Sequence, residues 1–141
     1  MSVVMDTNAL MMPVECDVRV FEELERLVGL ERSATESPSD DESHGAELLV
    51  PEAVLAELTK LADGASEEAT AASVGLDLAR ERCRAVSTEA DYADDAVLEV
   101  GEHAEVTHAV TNDGPLKRRL LAAGVPVISL RARNKLAVTQ P

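Results

Sequence analysis

Short apolar runs that alternate with stretches of helical spacing constrain this chain more than any other feature. Ser2-Val3-Val4-Met5 stops at Asp6-Thr7-Asn8, Leu48-Leu49-Val50 meets Pro51, Val106 to Thr111 ends at Asn112-Asp113, and Pro126 to Leu130 forms the last run. Ala85-Val86 is a further candidate for a brief strand. Strands alternating with helices predict an α/β fold, in which a parallel sheet is covered on both faces. Functional groups in such folds collect at the carboxyl ends of the strands.

The intervening helices are legible from their apolar spacing. Asp17 is a good N-cap for a helix carrying Val18, Phe21, Leu24 and Val28 and closed by Gly29. Pro51 suits the first position of a helix whose buried stripe is Val54, Leu55, Leu58 and Leu61. Ser66, with Glu67 and Glu68 behind it, opens another that runs through Leu76 and Ala79 towards Cys83. Ala93, Ala96, Val97 and Val100 mark the next, and Pro115 starts one that Gly124 closes.

Between the first helix and the second strand, residues 31 to 46 lack periodicity and apolar content, so they read as a solvated loop insertion. His44 falls in it and is expected to face solvent; deletion of 33 to 44 is expected to leave folding intact.

At 141 residues and 45% hydrophobic, the chain is expected to form one domain over 1–141 with a packed core. Phe21 and Tyr92 are its only aromatics, so that core must be Val, Leu and Ala. No apolar run approaches the length a membrane helix needs, and the expectation is a cytoplasmic protein. Cys16 and Cys83, without a CxxC pairing, read as reduced core residues.

The net charge of −14, with three lysines among the thirteen basic residues, looks like adaptation to a salty, halophilic cytoplasm, where charges are screened over a few ångströms. From Gly114 onward there is no acid, whereas Lys117, Arg118, Arg119, Arg131, Arg133 and Lys135 are all basic. A polyanionic partner therefore has one surface to meet.

Asp6 and Asp113 each follow a strand, Glu57 lies beside an apolar stripe, and Asp94 and Asp95 share the first turn of a helix. Each also has a simpler use: a turn, a solvated flank, a favourable charge at a helix start, or an N-cap. Asp95, next to Ala96, is expected to be the inward member of its pair. If four carboxylates meet in one cleft, their repulsion requires protons or cations. Oxygen ligands without Cys or His favour Mg²⁺ or Mn²⁺, and one or two such ions suit phosphodiester hydrolysis.

Taken in order, the Asp6-Thr7-Asn8 strand end, Pro51-x-x-Val54-x-x-Glu57-Leu58, Ala93-Asp94-Asp95-Ala96 and Thr111-Asn112-Asp113-x-x-Leu116 resemble the PIN-domain ribonucleases. The resemblance implies a three-layer α/β/α sandwich with a central parallel sheet and metal-dependent endonucleolytic cleavage of RNA. It also implies Asp6, Glu57, Asp95 and Asp113 as metal ligands, with Asp94 as the neighbour a shift of one register would select. Asn8 and Thr111 are implied as groups that orient the carboxylates. The segments DTNALM, ADDAVLE, TNDGPLKRRL and GVPVISLRAR look most like an archaeal branch related to small-subunit pre-rRNA processing endonucleases. VapC-type toxins, partnered by an antitoxin, are the neighbouring branch, and a non-catalytic module that docks RNA or a ribosome-assembly factor is the remaining alternative. Homodimerisation is plausible from the resemblance alone. With no aromatic platform for stacked bases, the chain is expected to hold single-stranded RNA through phosphate contacts and the metals rather than by stacking, using Lys117, Arg118, Arg119, Arg131 and Arg133 unless these merely balance nearby carboxylates.

Overall fold

Residues 1–30 and 45–141 are described by the computed structural model. The elements run β1 (Ser2–Met5), α1 (Thr7–Glu15), α2 (Val20–Val28), β2 (Glu47–Pro51), α3 (Glu52–Leu61), α4 (Glu67–Arg82) and β3 (Arg84–Val86). They continue with α5 (Ala93–Gly101), β4 (Val106–Val110), α6 (Gly114–Ala122), β5 (Val127–Ala132) and β6 (Lys135–Thr139). The strands form one sheet in the order β3-β2-β1-β4-β5-β6, parallel throughout except for the antiparallel pair of β5 and β6.

This order follows from how the chain winds. From β1 it steps outward to β2 and β3, and right-handed crossovers put the intervening helices on one face of the sheet. It then returns across β1 to β4 and steps outward the other way, which puts α5 and α6 on the opposite face. Helical layers on both sides explain why all four residues of β1 are buried. The winding reverses between β2 and β4, on either side of β1, the place where open α/β sheets form their binding crevice. Asp6 stands at that point.

The core is built from aliphatic side chains, with Val4, Leu24, Leu58, Leu120 and Ile128 fully buried. Helix α1 packs closely on α4, where a Cβ at Gly75 would stand 2.7 Å from the Leu10 carbonyl oxygen. Only glycine lets the two backbones approach this far. Phe21 is buried at the same end of the molecule, with the Arg82 guanidinium 4.7 Å above its ring centre.

Several local expectations are corrected. The sequence shows no separate helix between β1 and Asp17, yet α1 occupies that stretch. Ala9 to Met12 are buried on every side, so they lack the polar face that would reveal a helical period, and Pro13 lies inside the helix. Asp17 is not the N-cap of α2; with φ +53° it is the left-handed residue that turns the chain out of α1, and Arg19 takes the cap position. Pro51 ends β2 and caps α3 rather than starting it. The sheet is not wholly parallel, because β6 folds back as a hairpin on β5. Cys16 and Cys83 are free thiols and only partly buried, and burial pushes the Cys83 thiol up to about 12, against the pull of Arg82. The expected insertion at 31–46 lies, but for Gly45 and Ala46, outside the described residues, as does His44. At its base Leu30 and Ala46 form an isolated parallel bridge. Among the described residues no helix is long and apolar enough to cross a membrane.

The free edge of β6 is covered by α2. Glu23 is buried and accepts the Leu136 N–H at 2.9 Å, while Arg26 donates to the Leu136 carbonyl at 2.9 Å and to Glu23 at 2.8 Å. Both backbone groups that Leu136 turns away from β5 are thereby satisfied, which closes a sheet edge that otherwise invites pairing with another chain.

Candidate active site

The site is assembled by hydrogen bonds between the ends of three strands. The Asp6 N–H donates to the Val110 carbonyl at 3.1 Å, and the Thr111 N–H donates to the Ile128 carbonyl at 3.1 Å. These two bonds bring the end of β4 between those of β1 and β5. The fully buried Thr111 hydroxyl then donates to Asp6 Oδ2 at 2.7 Å and accepts the Asp113 N–H at 3.1 Å. Thr111 thus links the two aspartates that follow the two central strands.

Asn8 works one step further out than expected. Its Oδ1 accepts the Asn112 N–H at 2.9 Å, and Asn112 Oδ1 accepts the Leu130 N–H at 3.2 Å. The pair fixes the turn after β4 on both sides and positions Asp113 through the backbone. One oxygen of Asp113, Oδ2, caps α6 by accepting the Leu116 N–H at 2.9 Å, so the N-cap use read from sequence is present.

Asp6 is 3% exposed, and burial raises its carboxyl from 3.8 to about 6. The bonds from Thr111 and from the Thr7 backbone lower it, whereas the charges of Asp94 and Glu57 raise it further. Asp94 is itself raised, first by desolvation and then by Asp113 and Glu57, with Arg119 acting against them. Asp6 thus feels the charges of Asp94 and Glu57, and Asp94 those of Asp113, Glu57 and Asp95.

Asp95 adds to the repulsion on Asp94 and is itself paired. Its Oδ1 accepts from Arg119 at 2.8 Å in an ion pair whose two side chains are both nearly half exposed. Successive helical residues are about 100° apart, so by phase Asp94, about 60° from Val97, lies nearer the buried stripe than Asp95, about 160° from it. Asp94 is nonetheless exposed and Asp95 half-buried beside Arg119. Glu57 is exposed, at the margin between Val54 and Leu61, where a mobile carboxylate can reach over the crevice.

Two observations bear on whether a divalent cation suits these residues. The donor set is all oxygen, which fits Mg²⁺ or Mn²⁺. Thr7 Oγ1, beside Asp6, is a buried polar atom without a hydrogen-bond partner, an arrangement that suits an ordered water or a ligand. As the side chains stand, no three His, Cys, Asp or Glu among the described residues close around a single point. The donor chemistry fits a cation, and the exposed Glu57 and Asp94 are the carboxylates free to turn towards one.

Of the five basic residues expected to meet RNA, two have partners: Arg119 on Asp95 and Lys117 on Ser129 Oγ at 3.2 Å. Arg118, Arg131 and Arg133 are exposed, with no ion pair among the described residues. His108, in the middle of β4, contacts the Thr107 hydroxyl at 2.9 Å, and desolvation lowers its pKa, which leaves it a neutral sheet residue. Sequence spacing did not single out Tyr92, which immediately precedes α5 and is 78% exposed.

No curated protein matches the chain in sequence. A solved structure described as "Structure of the PIN domain endonuclease Utp24" is similar, with a TM-score of 0.72 and 24% identity over 99% of this chain and 92% of that one. At that identity the likeness is one of fold, and it includes the six-stranded, mostly parallel sheet between two helical layers. The family model described as "PIN like domain" matches residues 3–133, from Val3 in β1 to Arg133 in the β5–β6 turn, and spans all four acidic strand-end and helix-start segments. By that match the chain belongs to the PIN-like domain family.

Proposed function

We propose that this chain is a Mg²⁺- or Mn²⁺-dependent endonuclease that hydrolyses phosphodiester bonds in single-stranded RNA, with precursor ribosomal RNA as its substrate class. The observation that carries the reading is the buried Asp6, raised to about 6 by burial and by the charges of Asp94 and Glu57, at the carboxyl edge of the sheet. A carboxylate so destabilised gains most from a cation, and family membership together with an endonuclease of the same fold supports that use. The ribosomal substrate rests on the resemblance of the ADDAVLE and TNDGPLKRRL segments alone.

In this mechanism Asp6, Glu57, Asp94 and Asp113 hold the cation. When bound, it supplies Lewis acidity towards a water and the phosphate. Thr111 holds Asp6 in one rotamer, and Asn8 and Asn112 fix the turn that carries Asp113. Arg118, Arg131 and Arg133 bind phosphates flanking the cleaved bond, and they orient the strand without reading its sequence.

Cleavage of an end-labelled RNA by the purified chain with Mn²⁺ in molar KCl tests the reading. Endonucleolytic products are expected from the wild type and not in EDTA or from Asp6→Asn. Full activity in either control overturns it.

A further inference from the structure

We infer that Tyr92 is the stacking platform for an unpaired base adjacent to the cleaved phosphodiester, an assignment that rests on the RNA-endonuclease reading above. The chain has two aromatic rings. Phe21 is 9% exposed and belongs to the core, whereas Tyr92 is 78% exposed, so packing gives its ring no role.

Its position is that of a substrate contact. Tyr92 is the N-cap residue of α5, two residues before Asp94, and its carbonyl accepts the Ala96 N–H at 2.9 Å. Tyr92 therefore shares the helix start that carries Asp94, whose charge acts on Asp6. The backbone beneath the ring is fixed. Glu99 accepts the Glu89 N–H at 3.0 Å and the Ala90 N–H at 3.1 Å, and the Thr88 hydroxyl donates to the Ala90 carbonyl at 2.8 Å. A ring with two side-chain torsions on a pinned backbone loses little entropy when a base settles on it.

Charge points the same way. Asp91, Asp94 and Asp95 flank Tyr92, and Arg119 is taken up by Asp95, so this helix start repels phosphate. A neutral π face holds a nucleotide where cations are lacking, and stacking serves any base because every base has such a face. Phosphates are left to Arg118, Arg131 and Arg133. A base can lie on Tyr92 only if it is out of a helix, which makes the site selective for unpaired RNA.

The test is steady-state cleavage of a single-stranded decamer by the wild type, Tyr92→Ala and Tyr92→Phe at 0.2 M and 1 M KCl. Decamers carrying one abasic position at a time are run alongside. Stacking of one base corresponds to roughly 5- to 150-fold. Tyr92→Ala is expected to lose at least about tenfold in kcat/KM, mostly through KM and equally at both salt concentrations, while Tyr92→Phe stays within about twofold. One abasic position is expected to cost the wild type the same factor and Tyr92→Ala nothing. An active wild type whose Tyr92→Ala variant cleaves equally well, or whose abasic penalty is the same in both proteins, overturns the stacking role alone. Failure of Tyr92→Phe to restore cleavage overturns it too, by assigning the effect to the hydroxyl. A wild type that cleaves no decamer overturns the endonuclease reading and this assignment with it.

Discussion

Asp6 and Glu23 are both buried carboxylates, 3% and 8% exposed, and the fold treats them in opposite ways. Glu23 is pulled from 4.5 to about 2 by Arg26, by the Leu136 N–H and by Lys135, against the cost of burial. Asp6 is pushed from 3.8 to about 6 by burial, with Asp94 and Glu57 adding to it and only the bonds from Thr111 and the Thr7 backbone opposing. Both are closed to solvent, yet desolvation is the largest influence on Asp6, whereas at Glu23 it is outweighed by the bonds to Arg26 and the Leu136 N–H. Glu23 is matched by opposite charge and holds the sheet edge closed; Asp6 is surrounded by its own sign and is held in place by a hydroxyl. One carboxylate stabilises the fold; the other costs it stability, and under the proposed function that cost is what a bound cation relieves.

Asp6→Asn breaks the comparison most sharply. Activity is expected to fall by on the order of 10³-fold, since ligation contributes several kcal/mol at the transition state. Stability moves the other way. The native state holds the Asp6 proton more tightly than the unfolded chain, so its contribution is favourable below 3.8 and is lost as pH rises through about 6. In EDTA at pH 7.5, Asp6→Asn is thus expected to be more stable than the wild type, by up to about 3 kcal/mol, and the gain is expected to vanish near pH 3.5. Urea unfolding at the two pH values checks this; an Asn variant that is less stable at pH 7.5 removes the claim that Asp6 is strained.

Asp94→Asn and Asp95→Asn divide the adjacent pair. Asp94 lies in the field of Asp113 and Glu57, so its loss is expected to cost on the order of 10²-fold in kcat/KM. Asp95 holds a half-exposed ion pair with Arg119, and its loss is expected to stay within about threefold. Equal losses from both variants contradict the division.

Glu23→Gln examines the other side of the comparison. It weakens a charge-assisted bond to Arg26 and leaves kcat alone, with a loss near 2 kcal/mol at pH 7 by urea unfolding. Because the folded value lies below the ordinary one, Glu23 stabilises above 4.5 and that share disappears as pH falls through about 2. The gap between wild type and variant is expected to close over that range, and a gap that persists at pH 2 removes the ion pair as its cause.

What was legible in the sequence follows the same division. Asp6, Glu57 and Asp113 were visible because strand ends and helix starts have local signatures, and these fix where a residue sits in an α/β fold. The pairing of Glu23 with Leu136 left no such mark: the partners are 113 residues apart, and nothing local distinguishes Glu23 from Glu22. The stripe Ala93, Ala96, Val97, Val100 does not separate Asp94 from Asp95, because the ion pair that half-buries Asp95 comes from Arg119 on another helix, 24 residues away. Helix α1 was hidden by its uniform burial, and β6 by its short alternation, in which only Leu136 is fully buried. Tyr92 was visible as one of two aromatics, but composition does not say which ring is exposed, so it gave no platform.

Thr111→Val is the most specific change, with the smallest expected cost in stability. Valine keeps the shape of the buried side chain and removes the hydroxyl that donates to Asp6 Oδ2 and accepts the Asp113 N–H. That bond is the largest influence holding the Asp6 carboxyl down against burial. Its removal is expected to raise Asp6 above about 6 in the metal-free protein, as followed by carbon NMR of the carboxyl, and to cost about 1 kcal/mol of stability. Activity is expected to fall roughly 10- to 100-fold, as when a group that orients a metal ligand is lost. An Asp6 titration that stays where it was would mean that the crevice, and not Thr111, sets the rotamer and charge of Asp6, and the contrast with the clamped Glu23 would then rest on burial and like charges alone.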